Sequence, residues 1–112
     1  MGANFEWFKD VTIVDDYIYE FTNGDCTSHS YGRSCDICEI FKENTNIEIP
    51  TLSYSYRYEN KSELNLVDPK DMISACDKLL RITGNDDIEE FRDRIELFKE
   101  LSEQGYYIAY VN

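Results

Sequence analysis

From Asp68 to Gly105 the apolar residues recur at helical intervals, and nothing else in the 112 residues constrains the fold as tightly. Asp68 before Pro69 provides an N-cap with proline at the first helical position, and Asp71 sits in the first turn. Met72, Cys76 and Leu79, with Ile73 and Leu80 beside them, make one apolar stripe. A second start follows "RITGND", where Asp86 with Glu89 three residues later fits a capping box. Ile88, Phe91, Ile95, Phe98 and Leu101 then recur every three or four residues, and Gly105 ends the run as a C′ residue. Two consecutive amphipathic helices must bury those stripes against another layer.

The rest of the chain supplies strands for that layer. "VTIVDDYIYEFT", residues 11–22, is rich in β-branched and aromatic residues and reads as a strand or as a hairpin broken at Asp15-Asp16. "TLSYSYRYENKSELNLVD", residues 51–68, reads as a hairpin turning at "ENKS", with Leu52, Tyr54, Tyr56 and Tyr58 on one face. "YYIAYV" at 106–111 is a last strand, and "CDICEIFKEN" at 35–44 suits either a short helix or a strand. No linker, repeat or low-complexity tract divides the chain. The expectation is a single domain, 1–112, of the α+β class. A mostly antiparallel sheet carries two consecutive helices on one face, and a cysteine-rich loop, 23–39, is inserted after the first strands.

Charge narrows the function. Eleven Lys and Arg stand against 23 Asp and Glu, a net charge of −12 spread over both halves of the chain. Such a surface repels nucleic acid, whose affinity comes from cations neutralising phosphates, and it disfavours anionic membranes. It favours a basic protein partner, because opposite potentials steer encounter; plain solubility is the other use of such charge. No stretch of 18 apolar residues suggests a membrane helix. The start "MGANFEWFKD" has no basic, then apolar, secretory pattern, and Glu6 stands where a myristoylation signal wants Ser or Thr. A cytoplasmic protein with reduced cysteines is expected.

The stretch "NGDCTSHSYGRSCDICE" holds three of the four cysteines and the one histidine, as C-x2-H-x5-C-x2-C. Cys26, His29, Cys35 and Cys38 offer four N/S ligands in two short-spaced couples, the set that one structural zinc takes. The competing reading is a loop of inert thiols, and five residues is a short separation between couples. A thioredoxin-like use of Cys35-Asp36-Ile37-Cys38 fails on context, since no βαβ unit precedes it and Asp36 would raise a neighbouring thiol pKa. A small Cys/His enzyme would depend on His29, and no nucleophile-elbow or oxyanion-type glycine motif surrounds it.

Nine tyrosines exceed what one small core needs. Tyr54, Tyr56 and Tyr58 either line the core or anchor a partner. The acidic residues expected at the partner surface are Asp15 and Asp16, with Asp86, Asp87, Glu89 and Glu90 at the second helix start. In size, charge and aromatic content the chain is similar to two groups of small acidic proteins. One is phage-encoded inhibitors of bacterial defence, including anti-CRISPR proteins; the other is bacterial immunity proteins that block toxin nucleases. The likeness involves no motif and transfers no residue. It implies an intracellular inhibitor, phage-encoded or bacterial, of a basic, nucleic-acid-handling partner. The alternatives are a zinc-stabilised interaction module and, third, the Cys/His enzyme.

Overall fold

A computed structural model describes residues 4–15, 19–21, 27–30, 34–52, 61–62 and 66–111. Seven strands and four helical segments lie within them: β1 Asn4–Phe8, β2 Val11–Ile13, β3 Tyr19–Phe21, β4 Thr27–Ser30, α1 Ser34–Thr45, β5 Thr51–Leu52, β6 Lys61–Ser62, α2 Pro69–Leu80, α3 Asp86–Glu90, α4 Arg92–Glu103 and β7 Tyr107–Val111. The α+β class is as expected. The main sheet runs β4-β1-β7-β5 and a second sheet runs β2-β3-β6. No helix among the described residues is long and apolar enough to cross a membrane.

The main sheet differs from the expected arrangement. It is mixed, because β5 lies parallel to β7, with Thr51 opposite Tyr110 and Leu52 opposite Val111. A parallel pair needs a long crossover, and residues 69–103 supply one containing three of the helical segments. The hairpin read over 51–68 is not what forms in its described parts. Thr51–Leu52 joins β7, whereas Lys61–Ser62, read as part of the turn, is a strand paired with β3 in the other sheet. Of the two readings of 11–22, the hairpin is the one that forms, with Val11 opposite Phe21 and Ile13 opposite Tyr19.

One of the two inner strands of the main sheet is β1, which sequence reasoning did not identify. Phe5 and Trp7 face the helices, whereas Glu6 and Phe8 point to the other side, as strand alternation requires. The main core joins Phe5, Trp7 and Ile108 to Ile37, Ile40 and Phe41 of α1, the stripe of α2, and Ile88, Phe91, Ile95 and Phe98. A smaller cluster of Phe8, Leu52, Ala109 and Val111 fills the opposite face, where Val11 and Leu66 pack against it. Glu6 is fully buried in β1, opposite Ser28 on one neighbour and Ala109 on the other.

The ambiguous segment at 35–44 is helical because Ile37, Ile40 and Phe41 fall on one helical face and all three are buried. The loop expected over 23–39 is therefore, where described, strand β4 followed by the first half of α1. Asp68 caps α2 as expected, its Oδ1 accepting from Lys70 N at 2.8 Å. The cap of α3 is Asn85 rather than Asp86: its Oδ1 accepts from Asp87 N and Ile88 N, and Asp86 becomes the first helical residue. Asparagine serves as well as aspartate in that role.

The second expected helix is interrupted at Phe91, whose φ of −106° and ψ of 13° end α3 and begin α4. Its apolar stripe still holds, since Ile88, Phe91, Ile95, Phe98 and Leu101 are all buried. Arg92, just past the break, donates to Leu80 O and Ile82 O and so ties the end of α2 to α4. Lys99 and Asp77 join the same two helices at 2.7 Å.

Gly105 has a φ of 90° at the end of α4. Its N–H donates to Ser102 O and that of Tyr106 to Leu101 O, the paired bonds of a Schellman cap. A Cβ there would meet nothing within 4 Å, so Gly105→Ala tests backbone strain alone. A loss of about 1 kcal/mol is expected from the shift in urea midpoint, and an unchanged midpoint would contradict the cap.

Candidate partner-binding face

Helix α1 carries Asp36, Glu39 and Glu43 at positions i, i+3 and i+7, which places them along one side of the helix. The apolar positions between them, Ile37, Ile40 and Phe41, fix that side by burying the other. Helix α3 begins with Asp86 and Asp87 and continues with Glu89 and Glu90; all four are exposed. The cap at Asn85 orients this turn, with Ile88 as its buried anchor.

The two acidic segments meet. Asp36, Glu39, Ile40 and Glu43 share a shallow groove of 140 Å³ with Asp87. At ~30 Å³ per water it holds several waters, space enough for an ammonium or guanidinium head. Three carboxylates of α1 and a fourth from more than forty residues further along the chain thus converge on one surface depression. Among the described residues Lys42 and Arg92 border these segments, and both are engaged. Lys42 pairs with Glu48 at 3.4 Å, and Arg92 binds both carboxylate oxygens of Glu89, at 2.7 and 3.3 Å. The hydrogen bonds and charge of Arg92 hold the Glu89 carboxyl below its ordinary value, and the same bonds hold the guanidinium above its own. Both groups are solvated, so the pair adds little stability. Its effect is to remove Glu89 from those carboxylates that act outward.

Asp15 is exposed at the end of the β2 segment, on the other sheet from the groove's helices. Asp16, Tyr54, Tyr56, Tyr58 and Cys26 lie outside the described residues. The three tyrosines near the C-terminus are half-buried and divide between the two sheet faces. Tyr110 meets Phe5 edge-on at 5.5 Å, Tyr107 stacks on Phe8 at 6.1 Å, and Lys9 sits 4.3 Å above the Tyr106 ring. Asp36, Glu39 and Glu43 were not among the expected partner residues. Reading 35–44 as helix would have shown their spacing.

His29 lies on β4 opposite Phe5, and Cys35 and Cys38 are one helical turn apart in α1. Cys38 is half-buried and packs against the main core. No His, Cys, Asp and Glu grouping fit to hold a metal occurs among the described residues. Cys76 is fully buried in the α2 stripe, and burial pushes its thiol up to about 12. A thiol reagent at pH 8 should leave Cys76 unmodified in the folded protein and label it in urea. Rapid native labelling would refute the packing of α2 on α4. No family model matches the chain, and no match is found among curated proteins or solved structures.

Proposed function

We propose that this chain is a small acidic binding protein that inhibits a basic, nucleic-acid-handling partner by occupying the partner's cationic surface. The supporting observation is the convergence of Asp36, Glu39, Glu43 and Asp87 on one groove beside the exposed acidic start of α3. A net charge of −12 gives the whole domain a long-range attraction for cations, and the groove supplies a local one. On this reading the protein is not an enzyme. It acts inside a bacterial cell, in the manner of phage-encoded inhibitors or immunity proteins, and binds neither nucleic acid nor membrane. The test is capture on the immobilised protein at ~50 mM and ~500 mM salt, which shortens the screening length severalfold. The captured protein is then assayed for its own nucleic-acid activity with and without this chain. Salt-insensitive capture, or an unaffected activity, refutes the proposal.

One observation favours a second reading, a zinc-stabilised interaction module. Helix α1 sets Cys35 and Cys38 one turn apart soon after β4 brings in His29, and Cys26 precedes that strand. On this reading purified protein carries about one equivalent of zinc, and a chelator loosens the β4–α1 segment. Metal-free protein of undiminished thermal stability removes it.

A further inference from the structure

The outer side of α2 carries a second groove. Asp71, Ser74 and Lys78 on the helix and Arg81 at its C-cap are exposed, at spacings of three, four and three residues, the interval of a helix–helix seam. Asp71, Ser74, Ala75 and Lys78 line an open groove of 240 Å³ together with Thr45 and Ile47 at the end of α1. Its apolar members are Ala75, which is buried, and Ile47, which is half-buried. Asp71, Lys78 and Arg81 enter no side-chain ion pair among the described residues.

Charge complementarity identifies the occupant as a second copy. From Asp68 to Arg81 three acids, Asp68, Asp71 and Asp77, stand with three bases, Lys70, Lys78 and Arg81, so this helix is neutral in a chain of −12. It therefore lacks the pull on a cationic partner that the α1–α3 groove has, and it does not repel its own copy at contact. The signs are also ordered, with Asp68 and Asp71 at the helix start and Lys78 and Arg81 at its end, as the helix dipole favours. A second α2 laid antiparallel about a twofold axis brings Asp71 of each copy level with Lys78 of the other, because the midpoint of 71 and 78 falls between Ser74 and Ala75. Small side chains at that midpoint let the two helices approach closely. Arg81 falls level with Asp68, whose Oδ1 already serves the cap, so that pair is secondary. Lys70 and Asp77 lie toward one margin, and Asp77 is held by Lys99. The net charge opposes association at long range, but at ~0.15 M salt it is screened beyond about 8 Å, and the pairs at contact decide.

We propose that two copies of this chain pair antiparallel along the outer side of α2, with Asp71 of each meeting Lys78 of the other beside Ser74 and Ala75. The pairing uses residues other than those of the α1–α3 groove, so either surface can fail alone. The test is sedimentation equilibrium at ~0.15 M salt, with circular dichroism to check that each variant is folded. The wild-type chain should dimerise with a dissociation constant below about 100 μM. Asp71→Lys alone and Lys78→Asp alone should each weaken the dimer about tenfold or more, because each sets like charges opposite one another twice. An equal mixture of those two variants should recover the dimer, since one chain then offers two lysines and the other two aspartates. Ser74→Arg, which keeps both charges and fills the midpoint, should also weaken it tenfold or more. Glu39→Lys with Glu43→Lys should leave it unchanged. A wild-type chain that stays monomeric at ~1 mM overturns the proposal. So do single variants that dimerise as well as the wild type, or a mixture that fails to recover the dimer they lost.

Discussion

Phe98→Ala is expected to destabilise the protein by about 3–5 kcal/mol, the range for emptying a fully buried aromatic site. Phe98 has no exposed surface and holds three elements together. Its ring meets Phe5 of β1 edge-on at 4.9 Å and lies 6.0 Å from the near-parallel ring of Phe41 on α1. Alanine would remove both aromatic contacts and leave a cavity between sheet and helices. A domain of this size has ~5–15 kcal/mol in all, so the variant should unfold at a much lower urea concentration, with an unchanged slope. Phe98→Leu keeps most of the volume and should cost far less, about 1–2 kcal/mol. A loss below about 1 kcal/mol for the alanine variant would mean that α4 does not dock on β1 as described.

The same residue shows what was legible in the sequence. The 3.6-residue periodicity of α2 and α4 is carried by Met72, Cys76, Leu79, Ile95, Phe98 and Leu101, and every one of these is buried. Helical periodicity is local, so a single sequence displays it. The strand β1 gave no such signal, because "NFEWF" puts a glutamate in what becomes an inner strand of the sheet. A charged residue there reads as surface; its burial depends on strands that arrive from residues 27–30 and 107–111. The parallel partner of β7 was hidden for the same reason, since pairing of Thr51 with Tyr110 spans nearly sixty residues of sequence. Half of the acidic face was visible as the cluster at 86–90. The other half depended on choosing helix over strand at 35–44, where Ile37, Ile40 and Phe41 favour helix and the two flanking cysteines drew attention to metal instead.

Reversing Glu39, Glu43 and Asp87 to lysine is expected to abolish most binding to a cationic partner. These three exposed carboxylates line the groove where α1 and α3 meet. Each exposed charge pair is worth ~0.2–1 kcal/mol, and reversal replaces attraction with repulsion, so three reversals remove about 2 kcal/mol or more. That corresponds to roughly thirtyfold weaker binding at low salt, because ~1.4 kcal/mol is tenfold. The loss should fall mainly on the association rate and shrink as salt rises, since distant steering is screened first. Asp87→Lys also places a cation at a helix start, at a cost of ~0.3–1 kcal/mol of stability, so the thermal midpoint must be measured alongside. The control is Asp71→Lys, Glu100→Lys and Glu103→Lys, which changes net charge equally with exposed residues that do not line the groove. If the groove is the contact, the control weakens binding only a few-fold. If both triple variants weaken it equally, the net charge of the domain acts as a whole and the groove has no special part.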